Sequence, residues 1–210
     1  DDIVRDYSID GRAVSVLFGK RTYQYSQFTP VFTGRAQRWH GSFQRLTVDI
    51  RDEVYRVRVP ISAGQYTGAG GVNGTADLKG KPLPVCFGKC LNVSPVLIDP
   101  TYLVFQFHSR TSQAVDAVYD RGSALAATGD HATYAALIAA SLSAGQYATC
   151  LALVLIRLYT TPSGLVTADV RGDASGSYVD TTFAVAKRML TDFALIDSAD
   201  LETSIFTYWD

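Results

Sequence analysis

Apolar and polar positions change their period along this chain, and the changes mark its elements. In the first sixty residues the period is two: Leu46, Val48 and Ile50 alternate with Thr47 and Asp49, and Tyr55, Val57 and Val59 alternate with Arg56 and Arg58. Successive strand side chains point to opposite faces, so this spacing predicts strands with one face turned inward. Asp10-Gly11 lies between RDYSI and RAVSVLF, and such a dipeptide readily takes the positive φ angles of a tight hairpin turn. That hairpin puts Val14, Val16 and Phe18 on one face.

From Ser62 to Gly80 the sequence is polar and glycine-rich, with too little apolar content for a core of its own. It reads as a long loop, and long ordered loops often serve at interfaces. Gln65, Tyr66, Val72 and Asn73 are the candidate contacts it carries. Short strands are expected at Val85 to Phe87 and Val96 to Ile98, a turn at Asp99-Pro100, and further strands at Tyr102 to Phe107 and Ala114 to Tyr119.

Helical spacing begins near residue 130. Asp130 is placed to accept the free amide hydrogens of a helix start, and Tyr134, Leu137, Ile138 and Leu142 follow on one face, giving a helix over about 131–143. The run from Tyr147 to Tyr159 has apolar residues facing both ways, as in a strand covered on both sides. Pro162-Ser163-Gly164 then leads to a partner strand, Leu165 to Val170, closing a predicted hairpin. Asp180 or Thr181 caps a second helix, about 181–195, whose stripe of Phe183, Ala186, Leu190 and Phe193 is expected to dock on that hairpin. The order predicts an α+β fold, mainly β. A β-rich barrel- or sandwich-like domain over 1–100, containing the 62–80 loop, is followed by a strand-hairpin-helix domain over 101–210.

Composition narrows the function classes. The 210 residues are 47% apolar, enough to bury a sizeable core. Nineteen basic and twenty acidic residues are spread along the chain for a net charge of −1, so no polybasic footprint exists and no nucleic-acid contact is expected. The most apolar run, Cys150 to Ile156, is closed by Arg157 and falls far short of the roughly 20 residues a membrane helix needs; no transmembrane segment is expected. The chain opens on DDIVRDYS and stops at Trp209-Asp210, which reads as a fragment of a longer protein. The odd number of cysteines, Cys86, Cys90 and Cys150, is expected to be free buried thiols of a protein made in a reducing cytoplasm.

Candidate chemistry is weighed residue by residue. Cys86 and Cys90, with His108, suggest a metal or a disulfide; on a strand the two cysteines stand about 13 Å apart, a turn at Gly88 would bring them closer, but no second pair has zinc-site spacing. No metal and no cofactor is expected. His40, His108 and His131 stand in separate segments without a nucleophile motif. Eighteen Asp against two Glu, Glu53 and Glu202, points to short carboxylates bonding their local backbone at turns. Asp116 and Asp120 lie about 13 Å apart along one strand, too far for a glycosidase pair. Gly68 to Gly74 lacks the Gly-Lys-Ser/Thr ending of a phosphate loop. Arg171-Gly172-Asp173 spells an adhesion tripeptide but sits at a strand exit. No catalytic residue is singled out, and the chain is not expected to be an enzyme.

The block GVNGTADLKGKPLPVCFGKCLNVSPVLIDP from Gly71 to Pro100 resembles a family of phage and prophage tail proteins. So do AVYDRGSAL ending at Leu125, DHATYAALIAASL (130–142), GQYATCLA (145–152) and VTADVRGDASGSYVD (166–180). The resemblance implies a structural component of a bacteriophage tail, at the baseplate hub or tail tip, assembled in the host cytoplasm and carried in the virion. Its implied partners are copies of itself and other tail proteins: hub, distal tail, tail tube or fibre. Two rival readings are a tail-tip cell-wall hydrolase and a receptor- or glycan-binding module using Trp39, Tyr66 or Trp209.

Overall fold

A computed structural model describes residues 8–42, 44–58, 60–61, 64–198 and 201. The protein is mainly β with two α-helices among these residues, as the pattern predicted. The chain divides into two compact units at Val59/Pro60, not near residue 100. The reason lies in strand pairing: the strand expected at Val85 to Phe87 forms instead at 89–93, and this strand and the one at 96–99 hydrogen-bond to strands from the second half of the chain.

The first unit holds an antiparallel sheet of β1 (Ala13–Phe18), β2 (Thr29–Ser42) and β3 (Arg45–Arg51), in the order β1-β2-β3. Asp10-Gly11 does turn the chain, with Gly11 at φ 75°. The amino-terminal arm of the expected hairpin falls largely outside the described residues. β1 pairs with the first part of β2, up to Arg35, and β3 pairs with the rest. Val31 and Gln37 are the extra residues of two bulges, both on β2. β1 and β3 therefore keep an unbroken alternation, and Val14, Val16 and Phe18 do share a face. Residues 53–58, expected as a strand, form 3₁₀ turns instead. Their alternation separates no two faces, since Val54, Tyr55 and Val57 are all exposed and no ladder receives them among the described residues.

The second unit is layered. One sheet has the order β5-β6-β11-β10-β9, built from β5 (Val96–Asp99), β6 (Val104–Gln106), β9 (Ala126–Asp130), β10 (Gln146–Cys150) and β11 (Leu155–Leu158). The other has the order β4-β12-β7-β8, from β4 (Lys89–Val93), β7 (Ser112–Asp120), β8 (Ser123–Ala124) and β12 (Val166–Asp173). Phe105, Tyr147, Ile156 and Leu158 of the first sheet meet Val118, Val166, Ala168 and Val170 of the second in one core. The alternate residues of the same strands, Val104, Ala148, Cys150 and Leu155, face a second core with Ile98, Leu137, Tyr66 and Leu78. A sheet covered on both faces is why the run after Tyr147 reads as apolar without alternation. That run is two strands rather than one, β10 and β11 joined by a tight turn. The expected hairpin with Leu165 to Val170 does not form, because β12 crosses to the other sheet and pairs with β4 and β7.

The helices are shorter than expected. α1 (Tyr134–Ala139) is capped by Thr133, whose hydroxyl accepts from the Ala136 amide. Asp130 instead accepts from the Thr149 hydroxyl and the Leu151 amide. At the other end, the Arg157 guanidinium donates to the Leu137 and Ala140 carbonyls, each at 2.9 Å, adding a second bond to the Leu137 oxygen that already accepts from the Ala140 amide. α2 (Thr182–Asp192) starts as predicted, with Thr181 accepting from the Ala184 amide.

Candidate functional site

The glycine-rich segment is an ordered arm. Two 3₁₀ turns, at Gly71–Asn73 and Ala76–Leu78, fold it back on itself, and Gln65 bridges to Pro82 at its base. Tyr66, 3% exposed, and the buried Leu78 drive into the core shared with α1 and the doubly covered sheet. Gly74 lies so close to the Tyr66 ring and the Leu78 side chain that a Cβ there would meet each at 3.0 Å. Of the four predicted contacts, Gln65, Val72 and Asn73 stand at the surface and Tyr66 is held inside. Tyr66 therefore serves as an anchor rather than an exposed aromatic, and burial raises its hydroxyl to about 12. Trp39 is half-buried, and Trp209 lies outside the described residues.

A grouping of ionisable side chains gathers where residues 86–88 run beside the end of β12. The Asp173 and Gly172 amides donate to the Cys86 and Gly88 carbonyls at 3.0 and 2.8 Å. At Gly172 a Cβ would come within 2.3 Å of the Cys86 carbonyl oxygen, so only glycine lets the two backbones approach this closely. The Cys86 amide in turn donates to His108 Nδ1 at 3.0 Å. That bond fixes the neutral ring with its proton on Nε2, which finds no protein partner among the described residues. His108 is fully buried, and desolvation drives its pKa down to about 4, Arg110 adding to the effect and Asp173 opposing it.

Asp173 is fully buried as well. Burial alone would raise its pKa, but bonds from the Ser175 amide and hydroxyl, with the charges of Arg110 and Arg188, hold it below the usual carboxylate range. Arg188 of α2 reaches it at 3.2 Å and also donates to the Ser175 and Ser177 carbonyls. Arg110 lies 3.7 Å from Asp173 and 2.8 Å from Asp192, and its guanidinium sits over the Phe193 ring. Phe193 meets Phe87 edge to face, and Phe87 meets His108 in the same way. These contacts tie α2 to the sandwich, and they fall at the end of β12 and the segment before β4 rather than on a 147–170 hairpin.

Chemically this cluster is a clasp. The Cys86 thiol donates to the Phe107 carbonyl at 3.0 Å, and desolvation, then the neighbouring Cys90, pushes it up to about 12. A thiol held protonated is a poor nucleophile. The 13 Å separation expected for an extended segment does not apply here, since Gly88, at φ 63°, bends the chain between the two cysteines. Both remain free thiols, and no group of three or more metal-ligating side chains gathers among the described residues.

The remaining residues singled out from sequence are dispersed. His40 faces Asp49 at 3.4 Å on the first unit's sheet, and the His131 amide donates to the Thr149 carbonyl. Asp116 pairs with Arg171 at 2.9 Å, whereas Asp120 accepts from the Ser163 amide and hydroxyl and from the Gly164 amide. Arg171, Gly172 and Asp173 are each bound into the sheet, so no adhesion loop is presented. The sequence sets Cys86 beside His108 as a metal candidate, but nothing in its spacing joins Asp173 to them, because the three come from segments that meet only in the fold. Neither a family model nor a curated protein nor a solved structure matches the chain. Among the described residues no helix is long and apolar enough to cross a membrane.

Proposed function

We propose that the chain is a non-catalytic structural module of a bacteriophage tail, at the baseplate hub or tail tip. In this reading it assembles with copies of itself and with other tail proteins in the host cytoplasm and is carried in the virion. The observation that supports it most is the arm at 64–83. Tyr66 and Leu78 hold its root in the core, while its tip offers Val72 and Asn73 to solvent. A partner docking there meets a surface already ordered, so little conformational entropy is lost on contact.

Charge-bearing substitutions at the tip alone, Val72→Asp with Asn73→Arg, leave Tyr66 and Leu78 in place. In a complementation assay the variant folds with unchanged thermal stability but fails to enter tails. Normal incorporation and infectivity of that variant would remove the arm's support for the reading.

A further inference from the structure

The first unit's sheet has one charged face and one apolar face. Strand alternation and register put Arg35, Arg38, Arg45, Asp49 and Arg51 on the first, where Asp49 pairs with Arg38 at 2.7 Å. On the other lie Val14, Val16, Phe32, Ala36, Trp39, Leu46, Val48 and Ile50. Only Ala36 among these eight is buried; Val16 is 42%, Phe32 39% and Leu46 56% exposed. Only at Arg35 do β1 and β3 flank β2 together, so most of the sheet is two strands wide. So narrow a sheet cannot build a core without a second layer against its apolar face.

The geometry points to the same face of a second copy as that layer. Two sheets stacked by their inner faces form a sandwich about 10 Å thick. The charge pattern admits a like partner: every charged strand residue named above lies on the far side, so identical faces meet with no like charges opposed. At about 3.3 Å per residue and 4.8 Å between strands, each face covers roughly 400 Å². A pair then buries roughly 800 Å², below the about 1,000 Å² that a stable specific interface clears and in the range of weak, transient contacts. Pairing is therefore concentration-dependent, and it gives the proposed tail module its self-contact. It rests on the tail reading only for its place in a particle, because the pairing itself is measured with no tail present.

Sedimentation equilibrium of the full chain tests it. The wild type passes from monomer to dimer as concentration rises, and Leu46→Glu or Val16→Glu weakens the pairing about tenfold or more. Thr33→Glu, on the charged face, leaves it unchanged. Both face residues are exposed, so their variants fold, which circular dichroism verifies. Hydrogen exchange on the wild type gives a second reading: amides of β1 to β3 gain protection as concentration rises while those of β12 do not. A chain that stays monomeric throughout overturns the inference, as do larger oligomers or dimers indifferent to Leu46→Glu.

Discussion

His108 makes the second unit sensitive to mild acid. In the folded chain its ring stays neutral down to about pH 4, because burial disfavours the charged form. In the unfolded chain the same ring takes a proton near 6.5. Between those values the unfolded state binds the extra proton, so stability rises with pH and is lost as pH falls. The two pKa values give a loss of about 2 kcal/mol at pH 5 and about 3 kcal/mol at pH 4, relative to neutral pH. Asp120 and Asp173, held below the ordinary 3.8 in the fold, begin to weaken it only as pH drops under about 4. The two windows are therefore separable. Pulsed hydrogen exchange of β6, β11 and β12 along a urea series, repeated from pH 7 to pH 4.5, reads the second unit alone. His108→Asn keeps an acceptor for the Cys86 amide but cannot titrate, so its midpoint stays flat across the window in which the wild type declines. Equal pH slopes for the two proteins would refute the assignment.

Two further substitutions probe the core and the backbone contact. Leu155→Ala empties a fully buried site on the doubly covered sheet and is expected to cost about 2–5 kcal/mol; Leu190→Ala, on the half-buried α2, falls below that range, and urea midpoints rank them. Gly172→Ala sets a methyl group 2.3 Å from the Cys86 carbonyl oxygen, so thermal unfolding shifts down by far more than a surface Gly→Ala change produces, whereas an unchanged midpoint contradicts the close approach.

What was legible in the sequence is what local chemistry dictates. β3, β5 and β7 carry their own alternation, α2 its threonine cap and stripe, and the Asp residues their turns. Pairing partners are a different matter, since they depend on residues far along the chain. Leu165 to Val170 has every mark of a hairpin partner for the preceding strand, yet β12 lies between β4 and β7. That exchange of neighbours moved the unit boundary from residue 100 to residue 59. Residues 53–58 err the other way: a period of two without a ladder to join is not a strand. In the glycine-rich arm the composition hides two decisive residues. Tyr66 and Leu78 stand twelve positions apart among polar neighbours, and neither forms a periodic pattern that reveals a root in the core.

The excess of Asp over Glu bears on function through where those carboxylates are spent. Asp99 accepts from the Thr101 and Tyr102 amides and the Tyr134 hydroxyl, and Asp169 from the Asn92 amide and the Tyr119 hydroxyl. Asp120 and Asp130 are likewise committed to backbone amides, and Asp173 to Ser175 and two arginines. A short carboxylate reaches its neighbouring backbone where a longer one would overshoot, so Asp is the residue that locks turns. Groups engaged in this way are poorly placed to shuttle protons, since each transfer would break the bonds that hold a turn. Two exposed surfaces carry little charge: the apolar face of the first unit's sheet and the tip of the arm. Contacts of that kind suit joining to another protein, which is the role we propose.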